Sequence, residues 1–248
     1  MAPPITCSTS GRNQDEDLMA RNDREPLNPW LTIPWEAYEG HMSSPEVRQA
    51  QFLSEAFRGV LREYKPETVA VLGCSTGNGF EHIDPTLTRR VIGVDINPDY
   101  LSVLQGRHGS SLPNLDLICA DLSLLELTSE AFDLIYCGLV FEYLDPERLI
   151  GKIERWLKAN GMFLVVLQLP SEKSGMITET KYKSLNRLES IMNLVEPEVI
   201  RQTCFEVGLL EGKAYDQVLE SGKSFFVGHY RKKTDEQTIV SMRSWLGC

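Results

Sequence analysis

No lysine occurs between Lys65 and Lys152 of this 248-residue chain, no two of its cysteines stand close together, and no apolar run is long enough to span a bilayer. The missing lysine excludes the phosphate loop of nucleotide triphosphatases, which needs one after its last glycine. Without an apolar run of about 20 residues there is no membrane partner to expect, and without a charged-then-apolar start the expected location is cytoplasmic. Cys7, Cys74, Cys119, Cys137, Cys204 and Cys248 have neither the paired spacing of a zinc site nor the density of a disulfide scaffold. They are expected to be free thiols, with no metal bound. A basic face is missing too: the net charge is −10, and residues 66–151 hold thirteen Asp or Glu against four Arg. Such a surface repels phosphate backbones, so no nucleic-acid partner is expected.

What is present is organised around residues 69–79, VAVLGCSTGNG. The apolar run Val69, Ala70, Val71, Leu72 fits a central parallel strand buried on both faces. Gly73, Gly77 and Gly79 then permit a tight turn and close approach of a ligand to the main chain. A second apolar run, Val91 to Val94, ends in Asp95, where doubly wound folds place an acid in reach of a ribose. The dinucleotide fingerprint G-x-G-x-x-G is absent, since His82 or Ser75 occupies a required glycine in either register. A glycine loop without a phosphate clamp, followed by a ribose-binding acid, fits a nucleoside cofactor that lacks phosphates.

Four pieces in order, VAVLGCSTGNG, VIGVDINPDYL, LICADL and FDLIYCGLVFEYLD, resemble the successive motifs of class I S-adenosylmethionine-dependent methyltransferases over roughly residues 67–169. The resemblance implies an α/β fold: a doubly wound, Rossmann-like, mostly parallel seven-stranded sheet with one antiparallel strand. It implies S-adenosyl-L-methionine as cofactor, held by Gly73, Cys74, Ser75, Gly77 and Gly79 of the first piece, Asp95 and Ile96 of the second, Ala120, Asp121 and Leu122 of the third, and Cys137 of the fourth. Two positions depart from the family: Val71 stands where an acid is usual and Ser75 where a glycine is usual. The implied activity is methyl transfer to a small-molecule acceptor. A protein or peptide acceptor, or cofactor binding without catalysis, are the competing readings, and the oligomeric state is left open.

Around this domain, taken as 65–233, the sequence predicts a disordered leader over 1–28, an aromatic lid and first helix over 29–64, and a tail over 234–248. The first helix is expected to start at Ser44 and Pro45 and end at Lys65-Pro66. Further helices are expected after Asn97-Pro98, from Asp145-Pro146 to Asn160-Gly161, over 182–195 and over 197–208, with strands at 115–119, 132–136 and 162–167. A hairpin of 210–218 and 224–230 closes the sheet. Residues able to take a proton from an acceptor are Glu142 and Tyr143 after the fourth strand, and Glu39 and His41 in the aromatic segment, whose Trp35 and Tyr38 are expected to face the acceptor.

Overall fold

A computed structural model describes residues 28–171 and 175–234. The leader and tail expectations therefore fall, apart from Asn28 and Thr234, outside the described residues.

Seven strands form one sheet: β1 (Thr68–Leu72), β2 (Arg90–Asp95), β3 (Leu115–Cys119), β4 (Phe132–Gly138), β5 (Leu157–Leu169), β6 (Leu209–Val218) and β7 (Ser224–Lys232). Their spatial order is β3-β2-β1-β4-β5-β7-β6. β3 through β5 run parallel, and β7 is antiparallel to both β5 and β6, so β7 is the one reversed strand. The expected doubly wound fold is the one observed.

Alternation along each central strand builds two cores. Ala70 and Leu72 of β1, with Phe163, Val165 and Leu167 of β5, pack with Leu149, Ile150, Ile153 and Trp156 of α4 (Pro146–Trp156) and with Ile200 and Cys204 of α5 (Pro197–Glu206). Val69 and Val71, with Leu164 and Val166, face the other way, against Leu53, Phe57 and Val60 of α2 (Gln49–Tyr64) and Leu101 and Leu104 of α3 (Pro98–His108). Val71 thus spends its side chain on the α2 core. The helix starts follow the sequence: the Asn97 side chain accepts from the Asp99 N–H at 2.9 Å and that of Asp145 from Arg148 at 3.2 Å, each ahead of a proline in the first turn.

Three boundaries differ from expectation. The aromatic segment contains its own helix, α1 (Trp35–Met42), and α2 starts at Gln49 rather than near Ser44, because Val47 is buried and Arg48 turns left-handed (φ 55°) to redirect the chain. α4 passes directly into β5 at Leu157, whose buried side chain continues the core, so Asn160 (φ 64°) and Gly161 lie within the strand. Lys183–Ser190 is a 3-10 helix, and its three-residue period puts Leu185 and Leu188 on one buried face.

Candidate active site

A cavity of about 420 Å³ opens where the carboxyl ends of β1, β2, β4 and β5 converge, the position that doubly wound sheets use for ligands and a volume in the usual small-molecule range. Gly73, Asp95, Gly138 and Gln168 mark the strand ends. Trp30, Tyr38, His41 and Met42 cover it from the N-terminal side, and Ile177, Leu185, Leu188 and Met192 wall it from the segment after β5. At Gly73 (φ 70°) an added Cβ would meet a Val140 methyl at 2.7 Å, so only glycine fits this bend.

Asp95 is held by the main chain on both oxygens: one accepts the Ser75 N–H at 2.8 Å, the other the Asn97 N–H at 2.9 Å. Burial nonetheless pushes its carboxyl up to about 6, against the lowering effect of those N–H groups. Ser75, left-handed at φ 48°, gives its N–H to Asp95 and thereby ties the glycine loop to the second strand.

The opposite end of the cavity holds a connected polar group. Glu142 is 1% exposed; its Oε1 accepts the Gln168 main-chain N–H at 2.7 Å, while Oε2 has no partner among the described residues. Burial pushes this carboxyl up to about 7 despite that hydrogen bond. The Gln168 side chain accepts from Gln49 Nε2 at 3.0 Å and Lys223 Nζ at 3.2 Å, and donates to the Met176 carbonyl at 2.7 Å. Lys223 also donates to that carbonyl, at 3.1 Å, and burial pushes its ammonium down to about 8. His41 Nδ1 lies 3.0 Å from the Thr180 hydroxyl, and burial together with the Lys223 charge pushes it down to about 4, leaving a neutral imidazole.

Of the residues singled out in the sequence, His41, Gly73, Ser75, Asp95, Ile96, Ala120, Asp121, Leu122, Glu142 and Tyr143 all line this cavity. Four others are placed differently. Cys137 is wholly buried in β4 within the α4-side core. Cys74 lies in the opposite core, its Sγ 3.1 Å from where a Gly93 Cβ would stand. An added Cβ at Gly77 would meet Leu104 at 2.8 Å and His108 at 3.1 Å, and at Gly79 it would meet Phe57 at 3.0 Å. Those two glycines let α3 and α2 approach the loop. Among the acceptor-side candidates, Glu39 bonds to Thr76 and to Arg107, and Trp35 lies under the Arg107 guanidinium at 5.3 Å, so both face α3 instead of the cavity. Sequence reasoning missed Gln49, Gln168 and Lys223. Gln168, a polar residue at the carboxyl end of a buried strand, carried the same signal as Asp95; Lys223 read only as a hairpin-turn residue.

Residues 70–165 match a family described as "Methyltransferase domain". An uncharacterized methyltransferase-like protein of Schizosaccharomyces pombe is 26% identical over 124 residues, 50% of this chain and 43% of that protein. A carboxy-S-adenosyl-L-methionine synthase of Ruthia magnifica is 27% identical over 123 residues, 47% of this chain and 49% of that protein. The chain therefore spans about half the length of these curated relatives. Among solved structures, the N-methyltransferase NodS of Bradyrhizobium japonicum in complex with S-adenosyl-L-homocysteine superposes with a TM-score of 0.60 at 16% identity, covering 81% of this chain and 98% of that one.

Proposed function

We propose that this chain binds S-adenosylmethionine and methylates a small molecule held in the same cavity, a reading supported by the match of residues 70–165 to a methyltransferase domain and by the resemblance of its four motifs to those of class I S-adenosylmethionine-dependent methyltransferases. The observation that carries the reading is the joining of two unlike regions in one cavity: a main-chain cradle at Gly73 and Asp95, and an apolar chamber beyond β4 whose polar groups are few and fixed. When bound, S-adenosylmethionine supplies a methyl group on a sulfonium, open to in-line displacement with departure of a neutral thioether.

The residues present fit that cofactor. Each Asp95 oxygen keeps a lone pair beyond its main-chain bond and would accept a ribose hydroxyl, while Ile96, Ala120, Asp121 and Leu122 would flank the base. Gly73, with Ser75 beside it, would leave room for the amino-acid part. Cys74, Gly77, Gly79 and Cys137 would act on the cofactor only by shaping the loop and strand. Closed over bound ligands, the covering segment 30–42 would exclude water, which favours displacement by the acceptor over hydrolysis, and would hold the acceptor in line. For an acceptor that must lose a proton, Glu142 is the cavity-lining carboxyl whose second oxygen is unpartnered among the described residues, and a carboxyl near 7 is matched to accepting a proton at neutral pH. Tyr143 and His41 would orient the acceptor.

Titration of the full chain with S-adenosylhomocysteine, followed by a screen of small-molecule and peptide acceptors for methyl incorporation, tests the reading. Micromolar binding with transfer to a small molecule is expected. Transfer to peptides alone would replace the acceptor class, and binding with no transfer to any acceptor would leave a cofactor-binding protein without catalysis.

A further inference from the structure

Resting on the reading above, we propose that the methyl acceptor is a largely apolar molecule bearing a single carboxylate, which Lys223 receives at the β5–β7 end of the cavity. Lys223 is 1% exposed and lines the cavity, yet among the described residues its bonded partners include no carboxylate. Its ammonium has three N–H groups and two acceptors, Gln168 Oε1 and the Met176 carbonyl, both neutral. A buried ammonium without a counter-charge is heavily penalised, and the penalty is relieved when an anion arrives with the ligand.

Among the described residues, no carboxylate bonds to it. Glu142 is separated from Lys223 by Gln168, which bonds Glu142 through its main chain and Lys223 through its side chain. His41 is neutral. Met42, Leu139, Ile177, Leu188 and Met192 make the adjoining wall apolar. One positive charge, with no arginine among the described lining residues, matches a monoanion better than a phosphate dianion.

The cofactor's own carboxylate is the other possible source of the anion, and the sheet argues against it. β4 and β5 stand between β1, which ends just before Gly73, and β7, which begins beside Lys223, a separation of about 14 Å at the usual strand spacing. Lys223 is therefore on the acceptor's side of the cavity.

The test uses the full chain, Lys223→Met and Lys223→Arg. Each is titrated with S-adenosylhomocysteine and then, saturated with it, with hydroxyphenyl- and aminophenyl-alkanoic acids of increasing chain length and with their primary amides. Wild type is expected to bind at least one acid ten-fold or more tighter than its amide, the preference weakening as pH rises above about 8, where the ammonium loses its proton. Lys223→Met should abolish the preference while keeping S-adenosylhomocysteine affinity within two-fold, and Lys223→Arg should retain part of it. Equal binding of acids and amides by wild type, binding of no acid, or a ten-fold loss of S-adenosylhomocysteine affinity in Lys223→Met would each overturn the proposal. A wild-type chain that binds no S-adenosylhomocysteine would instead overturn the methyltransferase reading.

Discussion

Glu142 Oε1 accepts the main-chain N–H of Gln168 at 2.7 Å, fixing the turn after β4 to the end of β5 from inside the cavity. The bond occupies one carboxylate oxygen and leaves the other buried without a partner among the described residues.

This arrangement makes stability depend on pH in a defined direction. The unfolded chain releases the Glu142 proton near the ordinary 4.5, the folded chain only near 7. Between those values the folded state holds the extra proton, so this group's contribution to stability declines as pH rises across that window and stays low above it. Glu142→Gln removes the decline and should gain stability relative to wild type from pH 4.5 to 7, by up to about 3 kcal/mol. His41 acts oppositely, costing stability as pH falls from 6.5 towards 4, but it is common to both proteins and cancels in the difference. Thermal unfolding across pH 4–8 checks this; a difference that does not change with pH would sink it.

Asp95→Ala should weaken S-adenosylhomocysteine binding by about 1.5–3 kcal/mol, the value of hydrogen bonds to a charged group. It also frees the Ser75 and Asn97 N–H groups, so the melting temperature should fall modestly. Calorimetry on a variant shown to be folded decides the point, and undiminished affinity would leave Asp95 as a loop brace alone.

Gly77→Ala should destabilise the fold by about 1–3 kcal/mol, since φ 90° is strained for any side chain and the new Cβ meets Leu104 and His108. Any loss of cofactor affinity then arises through the displaced loop. Denaturant unfolding within about 0.5 kcal/mol of wild type would contradict the assignment.

Arg107 pins α1 from α3 by pairing with Glu39 and covering Trp35. The ion pair is partly exposed and contributes below about 1 kcal/mol. Arg107→Ala should therefore leave the global melting temperature nearly unchanged while speeding amide exchange across α1, and saturating S-adenosylhomocysteine should slow exchange there again if residues 30–42 act as a lid. Exchange in α1 that responds to neither change would mean that the segment is a permanent clasp.

How far the site could be read from sequence follows from where each residue's partners lie. Asp95 was legible because strand, acid and glycine loop are near one another in the chain, and the alternation of apolar strands and capped helices fixed the fold class. Helix α1 was obscured by Gly40, whose reason for being there is distant: a Cβ at that position would collide with the Tyr182 ring. Lys223 gains its meaning only from Gln168 at the end of β5 and Met176 in the segment after it, distant neighbours invisible in the turn that contains it. The reassignment of Gly77 and Gly79 has the same origin, because loop geometry alone does not say which helix approaches.

The pairing of β5 with β7, Met162 opposite Arg231 and Leu169 opposite Ser224, also bears on synthesis. A nascent chain that has emerged only as far as β5 carries an almost wholly apolar strand with one edge open, the configuration most prone to self-association. β7 closes that edge, and Lys223 immediately precedes it, so the cavity wall is completed by the same event that protects the sheet. Truncations placed between α5 and β7 should therefore yield insoluble protein with no residual ligand binding, and folding on the ribosome must wait for nearly the whole of the described chain.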